Sequence, residues 1–173
     1  MRIENLIGDY QAFVSDLLFR LKSCSIDIFG MPMSHLLYRT ATISEYESLR
    51  NQLKTLCSKF VETQFNDRAV SILILKKPLV FEGGVTVSMI ELPAPRPVHM
   101  YPSGLESIGI ILGNKLPQFI QQYKHTLTGI KDHGQYCQPA FITFDNDKTA
   151  KFYDISLEEI VHLQGWQLEE IGK

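Results

Sequence analysis

Cysteine is scarce in this chain, with three in 173 residues. Cys24, Cys57 and Cys137 stand far apart, in odd number and in no paired spacing. That pattern argues against a disulfide framework or a zinc ribbon and predicts a reducing compartment. Long apolar runs are missing too, so no membrane-crossing helix is encoded. The opening residues, Met1 to Asn5, lack the apolar core of a secretory signal, which Glu4 and Asp9 interrupt, and a cytoplasmic location is expected. Neither sign of charge dominates: 17 Lys and Arg face 19 Asp and Glu, for a net charge of -2. Arg50, Lys54 and Lys59 alternate with Glu45, Glu47 and Glu62 as a solvated surface would, which leaves no electrostatic footprint for nucleic acid. A nucleophile elbow, a phosphate-cradling glycine loop and a dinucleotide fingerprint are equally lacking.

What remains is an ordinary globular composition, 45% hydrophobic and 21% charged, in a length that suits one domain over 1–173. Residues 3–22 place Ile3, Leu6, Tyr10, Phe13, Val14, Leu17 and Leu21 at helical spacing, and Gly30 and Pro32 stop the pattern. Ser34–Arg39 is a short strand. A helix follows, capped by Thr42 or Ser44 and expected to run to about Phe60 with Tyr46, Leu49, Leu53, Leu56 and Phe60 on its buried face. Two strands, at about Arg68–Leu75 and Gly84–Leu92, flank a turn at Glu82-Gly83-Gly84. Pro93, Pro95, Pro97 and Pro102 mark an irregular crossover. The same order then recurs: a strand over Glu106–Leu112, a helix from Leu116 to about Leu127, and strands over Ala140–Phe144 and Ala150–Asp154. Asp145-Asn146-Asp147 turns between the last two, and Ser156 with Glu159 opens a closing helix as a capping box. The recurrence predicts an internal duplication, with an N-terminal helix and loop over 1–32, a first module over 33–100 and a second over 101–173.

Strand alternation sorts the candidate site residues by face. His35, Leu37 and Arg39 share one side, Val85, Val87, Met89 and Glu91 another set, and Ser107, Gly109 and Ile111 a third. If the halves curl around one cleft, His35, Glu91 and Ser107 converge there. Imidazole and carboxylate suit a divalent ion such as zinc, nickel, iron or manganese, whereas a lone strand histidine also serves structurally. An inward Arg39 or Arg68 would clamp a carboxylate or phosphate, or would form a structural ion pair, for instance with Glu91.

Four stretches carry a family resemblance: Ser34 to Arg39, Ile90 to Pro95, Tyr101 to Ile108, and Lys151 to Val161. Their order and spacing are similar to the YecM family, across nearly the whole chain. The resemblance implies an α+β fold in which two βαβββ-type modules form curved mixed sheets around a cleft, as in glyoxalase-like (vicinal-oxygen-chelate) proteins. It also implies a metal site, and with His35 and Glu91 as its ligands one reading is a metal-dependent enzyme acting on a small oxygen-bearing metabolite. The family's second-half Glu-His pair falls on Glu106-Ser107, its next carboxylate on Gly109, its histidine after Lys-Phe on Tyr153, and the acid before its first histidine on Ser34. The expected metal site is therefore partly degraded, with Arg39, Arg68, Ser107 and Tyr153 as substrate-binding candidates. The alternative is a non-catalytic small-molecule-binding or interaction protein that keeps the fold.

Two other constellations read as connections. Lys131-Asp132-His133 lies between glycines in a polar loop, and Asp145-Asn146-Asp147 lacks the glycine and distal glutamate of a calcium loop. His99 sits in the proline-rich crossover, where solvent exposure is expected.

Overall fold

A computed structural model describes residues 2–96, 101–132 and 134–172; His99 and His133 lie outside them. Among the described residues, one mixed sheet of nine strands runs through the domain. Its strands are β1 (Met33–Arg39), β2 (Cys57–Phe65), β3 (Arg68–Val80), β4 (Thr86–Pro93), β5 (Gly104–Ile111), β6 (Gly129–Ile130), β7 (Ala140–Thr143), β8 (Thr149–Tyr153) and β9 (Glu169–Glu170). The helices are α1 (Glu4–Ile7), α2 (Tyr10–Ser23), α3 (Ile43–Leu56), α4 (Leu116–Gln122) and α5 (Leu157–Leu163).

The strand order is β6-β7-β8-β5-β1-β4-β3-β2-β9. From the antiparallel β1–β5 pair at the centre, each side repeats one pattern: a parallel neighbour (β4 or β8), then two antiparallel strands. Each half is thus a βαβββ unit, and the two form a glyoxalase-like fold. The halves share one continuous sheet, because β1 and β5 pair directly.

The period of two along the strands divides the interior. Leu36, Leu73, Leu75, Ile90, Leu92, Ile108, Ile110 and Phe152 face the side covered by α2 and α3, and they form the larger core with Val14, Leu17, Leu21 and Leu53. Each fully buried aliphatic side chain there contributes roughly 1.5–3 kcal/mol. On the opposite side Val70, Ile72, Met89 and Tyr153 meet Leu157, Ile160 and Val161 of α5. Val87 departs from the expected grouping with Met89: it packs in the helix-side core, across a register shift between Ile74 and Leu79.

Four expectations change at the element level, one of them the second-half helix, which stops at Gln122 and does not reach Leu127. The N-terminal helix is two helices, broken at Gly8 (φ 80), after which the Asp9 side chain accepts from the Ala12 amide and caps α2. The helix expected to reach Phe60 stops at Leu56, and Cys57–Phe65 forms β2. That strand is locked to β3 by a two-residue turn, Asn66-Asp67, with φ of 49° and 62° at the two positions, as a type I′ hairpin requires. Tyr46 and Arg50 of α3 then tie to β2 through the Glu62 carboxylate, each at 2.6 Å. In the second half the short strand β6 forms where only a loop was expected. Caps behave as their chemistry demands: Thr42 takes the Glu45 amide and Ser156 the Glu159 amide.

Candidate functional site

The face of the sheet beneath α5 carries the site. Leu37 of β1 is paired with Glu91 of β4 on one side and with Ser107 of β5 on the other. One step along, His35 lies opposite Gly109, which is itself paired with Lys151 of β8. Two irregularities in the β1–β5 ladder re-aim side chains. An extra residue in β1 at Ser34 and one in β5 at Glu106 each break the register. The second brings Glu106 to the side of Arg39.

His35 is fully buried. Its ring crosses that of Tyr153 edge-on, with centroids 5.4 Å apart. Nδ1 lies 3.1 Å from the Ser34 hydroxyl, which also accepts the Leu157 amide at 2.6 Å. The first turn of α5 is thereby fastened to β1 beside the histidine. Nε2 lies 3.4 Å from the Glu91 carboxylate, beyond good hydrogen-bond length. Burial holds the imidazole below its ordinary pKa, and Glu91 opposes that shift only in part, so the ring is neutral. The ring occupies the space over Gly109: a Cβ there would stand 2.5 Å from His35 Cε1. Tyr153 is buried against the same ring, and desolvation drives its phenol far above the ordinary range.

A cavity of about 130 Å³ opens on this face, with walls from β1, β3, β4, β5 and β8 and a roof from α5 and Trp166. Arg68, Glu91 and Tyr153 line it, while Arg39, His35 and Ser107 do not. Arg39 holds Glu106 in a two-pronged ion pair, Nε to Oε2 at 3.1 Å and Nη2 to Oε1 at 2.8 Å, and stacks over Tyr101. Of the two roles open to Arg39, the structural pair is the one formed, and its partner is Glu106. Arg68 gives one hydrogen bond to the Ala94 carbonyl, while its buried Nε has no hydrogen-bond partner among the described residues. The Ser107 hydroxyl is likewise buried without a partner.

Sequence reasoning passed over Lys151, Lys131, Arg96 and Cys137, all of which line the cavity. Lys151 was the findable one, since it sits two residues before Tyr153 on the same strand face. Cys137 is inert as a nucleophile, because burial pushes its thiol up to about 12.

The residues present do not fit a resident metal ion. His35 and Glu91 are two donors, and the second half's one carboxylate on the cavity, Glu106, is already held by Arg39. Ser107 offers a neutral hydroxyl, Gly109 offers nothing, and Tyr153 is held as a phenol. The Lys151 ammonium, on β8 beyond β5, already disfavours positive charge at His35, and a dication there would meet the same repulsion. Among the described residues, no group of three or more His, Cys, Asp or Glu side chains is placed to hold a metal ion.

Fold and cavity together define a glyoxalase-like domain with a small-molecule-sized chamber on the shared sheet. The family model described as YecM protein matches residues 2–164, and the chain belongs to that family. A solved structure described as "Structural Genomics, Protein EC4020" is similar at 22% identity and a TM-score of 0.68, covering 95% of this chain and 97% of that one. Weaker likenesses are a hypothetical protein, BH1468, from Bacillus halodurans and the fosfomycin resistance protein FosX from Mesorhizobium loti. The first has 14% identity and a TM-score of 0.45, covering 71% of this chain and 93% of that one. The second has 10% identity and a TM-score of 0.27, covering 78% of this chain and 98% of that one. Neither bears on the chemistry of this site. No curated protein matches the sequence.

Proposed function

We propose that this chain is a small-molecule-binding protein that keeps the glyoxalase-like chamber without a working metal centre. The modules 33–100 and 101–173 act as one domain, and the ligand sits between them. The observation that carries this reading is the cavity itself: about 130 Å³ of open space, walled by strands of both halves and lined by charged side chains from each. That is room for a compound on the order of ten non-hydrogen atoms. Arg68 and Tyr153 touch the ligand, His35 and Glu91 shape the floor, Ser107 supports it from behind, and Arg39 holds Glu106 in place. The free cysteines suit a cytoplasmic setting, and no described helix is long and apolar enough to cross a membrane.

Two measurements test the reading. An NMR screen of small neutral and charged metabolites should shift amide signals of cavity-lining residues; a screen that moves none of them defeats the proposal. Calorimetric titration with zinc and nickel should show only weak binding, because His35 and Glu91 alone hold the ion. Tight stoichiometric uptake would restore the metal-dependent enzyme.

A further inference from the structure

Lys151 is only 5% exposed, lies on the cavity side of β8, and makes no hydrogen bond or ion pair among the described residues. Lysine is seldom this buried without a counter-charge. The charge nearby makes this worse. Lys131 lines the same cavity, half-buried, and burial together with Lys151 lowers its pKa. Arg68 and Arg96 line the first-half wall, and Arg68 Nε is buried without a hydrogen-bond partner among the described residues. Against these four cations the lining holds two carboxylates, Glu91 and Glu106. Arg39 already neutralises Glu106, which leaves Glu91 against the four cations and an excess of positive charge on the lining.

The cations are divided between the two ends of the chamber. Lys151 and Lys131 belong to the second half. Arg68 and Arg96 belong to the first, and β5, β1 and β4 intervene between β8 and β3 in the sheet. We propose that the cavity binds a small dicarboxylate, with one carboxylate at Lys151 and Lys131 and the other at Arg68 and Arg96. This rests on the reading of the chamber as a small-molecule site and names the chemistry of its occupant. A lysine acts as a point charge and an arginine as a planar fork, and carboxylates accept both. The ligand supplies the counter-charge that the empty chamber lacks, so its binding raises the thermal stability of the protein. The ammonium of Lys151 also gives the chamber a positive charge of its own without a metal ion.

The test uses the full chain and the series malonate, succinate and glutarate, with inorganic phosphate and neutral succinamide alongside. Calorimetry and amide shifts should show one dicarboxylate per chain, a preference within the chain-length series, and weaker binding of phosphate. Lys151→Gln should weaken the best dicarboxylate roughly tenfold or more, with a similar loss in Arg68→Gln, because each removes one end of the clamp. Lys124→Gln, on the exposed surface, should leave binding unchanged. Should Lys151→Gln fail to fold, Lys131→Gln and the succinate-to-succinamide comparison on the wild type decide the matter. Succinamide binding as well as succinate, or affinity indifferent to Lys151 and Lys131, overturns the dicarboxylate while leaving a small-molecule chamber. Phosphate binding as well as every dicarboxylate overturns the two-ended clamp. If neither these probes nor the wider metabolite screen reaches the cavity, both readings fall.

Discussion

Gly109→Ala is the sharpest probe of how the site is packed. The added Cβ would lie 2.5 Å from His35 Cε1, 2.6 Å from Nδ1 and 3.2 Å from Tyr153 Cε2. The backbone at 109 does not lie in the left-handed region, so alanine brings no conformational strain. By itself the change would stabilise a strand by roughly 0.5–1 kcal/mol through lost chain entropy. The imidazole must yield instead. Swinging it away sacrifices the contact with Ser34 at 3.1 Å, and overpacking a filled site costs about 1–3 kcal/mol. The expected net loss is about 1–2 kcal/mol, at roughly 2–4 °C of Tm per kcal/mol for a domain of this length. Urea denaturation of the single variants, His35→Ala and the double variant completes a cycle. In the His35→Ala background, Gly109→Ala should be neutral or stabilising by about 0.5 kcal/mol. An equal penalty in both backgrounds would show that His35 is not what fills the space over Gly109.

Two further outcomes follow from the same geometry. His35 has its pKa held below 6.5 by burial, with Glu91 opposing; its contribution to stability is complete above the unfolded value and is lost as pH falls from about 6.5 through the folded value. Urea midpoints measured across that range should therefore drop more steeply toward acid pH in the wild type than in His35→Gln, and parallel profiles would contradict the buried neutral ring. Asn66→Ala, at φ 49° in the β2–β3 turn, should cost about 1 kcal/mol in the same assay; no loss would mean that the turn does not hold the hairpin.

The duplicated order of strands was legible because each half repeats a branched strand, a capped helix and turn-bounded strands. The end of α3 was not. Leu53, Leu56 and Phe60 continue a helical spacing, and only pairing with β3 outweighs it; the local signal to the contrary was Asn66-Asp67, which placed a tight turn after Phe65. The partner of Arg39 was hidden for a different reason. Alternation assigns Glu106 to the face opposite Ser107, and only the irregularity in β5 turns it toward the arginine. A bulge leaves little trace in composition. Lys151 escaped notice because attention fell on Tyr153, although a lysine in the run Thr149-Ala-Lys-Phe-Tyr153, buried throughout, is the anomaly that physical chemistry flags first.

The short strand β9 pairs with β2, joining Glu170 to Lys59 and Glu169 to Phe60. Just before it in sequence, α5 and Trp166 roof the cavity. During synthesis the first half emerges with its outer edge unpaired and its cavity face bare, and both await α5 and β9, which are made well after it. An open strand edge invites association with other chains. A truncation near residue 156 would leave a nascent product that lacks more than a tail: it would expose a sticky edge and never enclose a binding chamber. Closing the roof and silencing the edge are one coupled event, so a chain with a bare edge would not compete for ligand.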